Sequence, residues 1–144
     1  MLFTQAKLVE TLGDAAVTAA ALDPAHIKVK LYTGGPDPSP SNAYTDFTLA
    51  AGTNSKTLTS WTTRLSDNGA TLTSPSISFV PGTDVNTGQT IKGLLLATDS
   101  GTPALIGSEK FPGDRQLNTS SDVLIVVVNV FLGLQVPIGN AEQV

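Results

Sequence analysis

There is no cysteine among the 144 residues of this chain. Disulfides, thiolate metal sites and thiol nucleophiles are therefore excluded together. Charge is scarce as well: 14% of residues carry it, against about 25% in an ordinary soluble domain. Only eight residues are basic and no Lys/Arg cluster exists, so nucleic-acid binding has no electrostatic footprint and no nucleic-acid partner is expected. His26 is the single histidine, and no His/Asp/Glu spacing around it suits a metal. It reads as a solvated or capping residue at a strand start. No apolar run reaches the ~20 residues of a membrane helix, so no membrane partner is expected. A signal peptide is not expected either, because Glu10 and Asp14 interrupt the Ala-rich stretch that follows Lys7.

What the chain does have is Ser and Thr in its polar positions, with thirteen glycines and nine prolines as frequent punctuation. Short strands joined by turns have this composition. The expected class is all-β, an antiparallel β-sandwich or jelly-roll-like barrel of six to nine strands. Residues 1–22 differ from the rest. They are Ala-rich and free of proline, with Thr4 placed to cap a short helix and Gly13 placed to break it. The expected organisation is an N-terminal arm or short helix over residues 1–22 and one β domain over 23–144. Leu2, Phe3, Leu8, Val9 and Leu12 are the arm's candidate partner-binding residues.

HIKVKLYT alternates cleanly, with Ile27, Val29 and Leu31 expected inward and Lys28, Lys30 and Tyr32 outward. GGPDPSPSN is a loop with three prolines at every second position. Ser66-Asp67-Asn68-Gly69 has hairpin-turn chemistry, and the two strands after it divide at Ser74-Pro75. TIKGLLLATDSGTPALIGSEKF, residues 90–111, reads as a hairpin turning at Asp99–Thr102, its return strand ended by Pro112-Gly113-Asp114.

Residues 123–134 read as one long strand with a peculiarity. Val123, Ile125, Val127 and Phe131 share one face, while Leu124, Val126, Val128, Val130 and Leu132 share the other. A sheet with one wet face alternates apolar with polar, and this strand does not. Burying five such side chains is worth on the order of 10 kcal/mol gross. Both faces are therefore expected to be covered, one by a facing sheet and the other by a helix, a loop or another subunit.

Candidate chemistry is thin. Glu109 and Asp114 near Arg115 are the nearest thing to a carboxylate pair. Asp99-Ser100-Gly101 and Asp84-Val85-Asn86 lack the closely spaced acids of a calcium loop and read as turns. Trp61, Tyr32 and Tyr44 suit a carbohydrate-stacking platform only if they share one exposed surface. No catalytic residue, metal ligand or cofactor site is assigned, and the chain is not expected to be an enzyme.

Three stretches carry a resemblance: IKVKLYTGGPDPSPSNAYTDFTLA, SPSISFVPG and TIKGLLLATDSGTPALIGSEKF. Their order resembles that of small virion proteins of tailed phages encoded near capsid genes, over residues 27–134. The resemblance implies a capsid decoration (cement) protein on the outer shell of the virion. It implies as partners the major capsid protein and the protein's own copies, commonly a homotrimer. A receptor- or glycan-binding fibre module is the alternative it leaves. The Ala-rich residues 1–22 depart from that pattern.

Overall fold

A computed structural model describes residues 2–3, 22–66 and 69–133. Eleven strands in these stretches form antiparallel sheets, with two single turns of 3-10 helix between them. The all-β class is as the composition requires. Of the arm, Leu2–Phe3 is a short strand, β1, and the short helix expected from Thr4 onward falls on residues 4–21, which lie outside the described residues.

The largest sheet has the order β1-β9-β8-β2-β3, with β4 also on β2. Its strands are β2 (Ile27–Gly34), β3 (Thr48–Leu49), β4 (Lys56–Thr57), β8 (Gln89–Thr98) and β9 (Leu105–Leu117). Ile27, Val29 and Leu31 point into the core as their alternation demands, and each is worth about 2 kcal/mol on removal from water. Tyr32 is a correction. It lies on the other face of β2, but at 2% exposure it is buried, stacked edge-on against Phe47 at 4.9 Å between centroids. Phe47, Leu95 and Leu105 join it in a second apolar cluster, with Tyr44 and Leu49 at its margin. The loop after the Pro-rich stretch thus covers the far side of the sheet, and β8 is buried on both faces.

The return strand of the hairpin does not end at Phe111. Gly93 pairs with Lys110 and Ile91 with Arg115, so Lys92 alone stands opposite Phe111, Pro112, Gly113 and Asp114. The Pro-Gly pair makes a wide bulge inside β9 instead of a terminus, and Lys92 closes its base on Asp114 at 3.0 Å.

The remaining strands form two smaller sheets, of three and two strands. β5 (Thr62–Ser66) and β6 (Gly69–Thr73) are a hairpin closing at the pair Ser66 and Gly69, as the SDNG turn requires. β7 is Ile77–Phe79, β10 Leu124–Val126 and β11 Asn129–Gly133. Residues 123–134 are not one uninterrupted strand: β10 pairs with β7 and β11 with β6. The cause lies in the partner. Ser74 and Val128 exchange contacts, Ser74 N–H donating to the Val128 carbonyl and Val128 N–H to Ser74 Oγ, both at 2.9 Å. Two residues, Pro75 and Ser76, then stand opposite Val127 alone. Pro75 has no N–H to give the ladder, and at Ser74 the hydroxyl, in place of a backbone carbonyl, accepts the Val128 N–H. The extra residue sits on the partner, so the side-chain alternation of residues 123–131 runs through the break unchanged.

The sheets share one core. Ile27, Val29, Leu31, Ile91, Leu94, Leu96 and Ile106 meet Leu72, Phe79, Val126, Val128 and Val130 in a single cluster. A clasp holds the residues after β3 to the loop before β8. Asp84 Oδ1 receives Lys56 Nζ at 2.6 Å, and its Oδ2 accepts the Val80 N–H at 2.8 Å. Burial raises the Asp84 carboxyl, but the bonds from Lys56 and Val80 and the Lys56 charge outweigh it and hold it below the ordinary carboxylate range. A carboxyl depressed by folding stabilises above its unfolded pKa, and that stability is lost as pH falls through the folded value. Asp84→Asn is therefore expected to be less stable than the parent near pH 7, by a gap that is smaller at about pH 3, below the ordinary carboxylate pKa of about 3.9. Urea midpoints at the two pH values measure it, and a gap of unchanged size refutes the assignment.

Candidate exposed apolar stripe

The most unusual surface lies along residues 123–131. An Asp122-centred turn aims the chain into it. The Asp122 carboxylate accepts from the N–H groups of Thr119 and Asn118, at 2.8 and 3.0 Å, and from Thr119 Oγ1. The Thr119 N–H is the largest of the influences that hold it below the ordinary range. From there the alternation is strict. Val126, Val128 and Val130 are buried, and Leu124 is half-buried against the core. Val123, Ile125, Val127 and Phe131 face outward at 44, 62, 43 and 61% exposure. Among the described residues no helix or loop lies over this face, which leaves the arm, whose residues 4–21 lie outside the described residues, and another subunit as its expected cover.

The stripe continues into a polar, Thr-rich surface. Phe131 stands opposite Thr71, and Thr71 opposite Arg64; Asn129, Thr73 and Thr62 form the neighbouring row. Thr73 Oγ1 donates to Asn129 Oδ1 at 2.8 Å. Residues 123–133 contain no charged side chain and no proline, the usual means of keeping an edge from pairing. In the order β11-β6-β5 and in the pair β10-β7, this path is the outer strand, and among the described residues nothing pairs with its open side. Beside β10 is a cleft of about 210 Å³ between Leu94, Glu109, Phe111 and Arg115 and residues 124–127.

The other sequence candidates do not converge. Of the arm's partner-binding residues, Leu2 and Phe3 sit in β1, opposite Ser108 and Gly107 of β9. Leu8, Val9 and Leu12 lie outside the described residues. His26 Nδ1 meets Asp99 Oδ2 at 3.1 Å on the exposed rim of the hairpin. Asp114 is engaged with Lys92, apart from Glu109 across the bulge. Among the described residues no group of three or more metal-ligating side chains forms. The aromatic trio does not make an exposed platform. Tyr32 is buried, Trp61 donates its Nε1–H to the Leu22 carbonyl at 2.8 Å, and Tyr44 lies under Lys30. Glu109 and Arg115 enter through the cleft wall, a position visible only once the bulge in β9 is known.

Comparison of the chain with protein-family models, with curated proteins and with solved structures finds no match.

Proposed function

We propose that this chain is a structural assembly protein, completed by packing against other polypeptides. In the terms of its resemblance it is a capsid decoration protein that seats on the outer surface of a virion shell, binds the major capsid protein and copies of itself, and stabilises the shell. One observation carries the reading: four large apolar side chains along residues 123–131, a stretch without charge, are exposed. An exposed stripe of this kind marks an interaction surface, because water-facing Val, Ile and Phe gain about 1–2 kcal/mol each when a partner covers them. The role calls for no catalytic group, and residues chosen for packing and turns are sufficient to perform it.

The test is addition of the purified protein to shells assembled from the major capsid protein alone. The expected result is saturable binding and a rise in shell melting temperature. An unchanged melting temperature at saturating protein overturns the proposal.

A further inference from the structure

We infer that the β10–β11 edge pairs antiparallel with the same edge of a second copy, so that two chains share one continuous outer sheet about a two-fold axis. The inference rests on reading residues 123–131 as a docking element, and it names the occupant of their open edge.

The backbone argues first. Val128 turns both its N–H and its C=O toward Ser74. In an antiparallel ladder these groups alternate sides with a period of two. Val127, Asn129 and Phe131, and by the same alternation Val123 and Ile125, therefore aim N–H and C=O out of the open edge. These are also the residues whose side chains face water. One set of residues thus presents both a hydrogen-bond row unfilled among the described residues and an apolar face, with no lysine or proline to refuse a strand.

The area argues next. Four half-exposed side chains make a patch of a few hundred Å², the size of the largest apolar patch on an ordinary monomer. A standard interface buries about 800 Å² per partner. The stripe laid flat against another surface falls short of that, and pairing at the edge adds a backbone ladder to it.

The choice of a second copy follows from symmetry and charge. A strand that pairs antiparallel with itself makes an isologous contact, which closes after two chains; the same edge used heterologously propagates. The stripe has no charge with which to select a foreign partner, and none to repel its own copy despite the net charge of −4. Centring the axis on Val127 sets Ile125 opposite the partner's Asn129 and Val123 opposite the partner's Phe131. The two stripes then run side by side as one apolar face, which is left for the shell. A threefold grouping, as the resemblance implies, needs this edge to meet some different surface.

Light scattering on the eluting protein tests it. The expected mass is about twice the 14.8 kDa of one chain. Ile125→Lys puts a charge on the stripe, and Val127→Pro removes an N–H that points away from the chain's own ladder. Each is expected to give monomer with the parent's circular dichroism, and if the proline variant misfolds the lysine variant still decides. A Val127→Cys variant of this cysteine-free chain carries a single spin label, expected to show dipolar broadening from its mate across the axis. A parent that elutes as monomer or trimer, variants that keep the parent's dimer mass, or a label without broadening overturns the pairing. A trimer that still raises shell melting overturns the pairing alone, whereas a dimer that leaves shell melting unchanged overturns the decoration role alone.

Discussion

Replacing Asn54 by alanine is expected to lower stability by about 3 kcal/mol, which is a large share of the 5–15 kcal/mol that holds a domain of this size together. Asn54 is 3% exposed, a polar side chain in the middle of apolar packing. Its amide substitutes for a strand. Oδ1 accepts the Leu31 N–H at 2.8 Å, and Nδ2 donates to the carbonyls of Leu31 and Ala50 at 2.8 and 3.0 Å. β3 and β4 both pair with β2, but neither pairs with Leu31, which lies in the gap between them. Asn54 fills that gap. Its backbone N–H, meanwhile, donates to the Asp84 carbonyl, which ties the same residue into the clasp. Alanine leaves the Leu31 N–H buried without an acceptor, at a cost of about 1–3 kcal/mol for that group alone. The backbone at Asn54 adds a further increment, since its φ of +39° lies in a region that Asn tolerates and Ala does not favour. Urea unfolding monitored by circular dichroism measures the loss. A midpoint within error of the parent's shows that the Leu31 groups find other partners.

That residue illustrates what the sequence could and could not reveal. Ile27, Val29 and Leu31 are legible because a period of two is a local signal, and so are the SDNG turn and the hairpin around Asp99–Thr102. Asn54 sits in GTNSK, a stretch that reads only as loop, because its bonds go to residues far away in the chain. Tyr32 follows two lysines in alternation and reads as outward; Phe47 and Leu95 bury it from the second side of the sheet. The break between β10 and β11 is invisible in VLIVVVNVFLG, because its cause is Pro75 on the opposite strand. Pro112-Gly113 resembles a terminus, yet here it makes a bulge, since a proline that gives up one ladder bond ends a strand only if the chain also leaves the sheet. The stripe is the instructive case. Its two-sided apolarity is plain in the sequence, and that property states a need for cover without saying where the cover comes from. The described residues supply cover on one side only, with Val126, Val128 and Val130 in the core and Ile125 and Phe131 exposed.

Gly93→Ala is expected to cost about 3 kcal/mol or more, at the upper end of what inserting one methyl into a packed interior does. Gly93 stands in the middle of β8, between Tyr32 on β2 and Lys110 on β9. A Cβ there would run into the Glu109 carbonyl oxygen and would lie 2.6 Å from both Cε1 and Oη of Tyr32. The two obstacles differ in kind. The Tyr32 ring can turn away only by leaving Phe47, whereas the Glu109 carbonyl is main chain, held over Gly93 by the start of the bulge that Phe111 to Asp114 make. Double substitution separates them. Tyr32→Phe alone is expected to be neutral or mildly stabilising, by up to about 1 kcal/mol, because the Tyr32 hydroxyl is buried with no hydrogen-bond partner among the described residues. If the ring hydroxyl were the main obstacle, Tyr32→Phe would recover most of the stability lost in Gly93→Ala. If the carbonyl is, the two effects add and the loss remains. The geometry favours the second result, for a ring edge gives way by rotation and a strand backbone locked between two ladders does not. Thermal melts of the two single variants and the double variant decide it: near-additive shifts confirm the backbone contact, and recovery in the double variant refutes it.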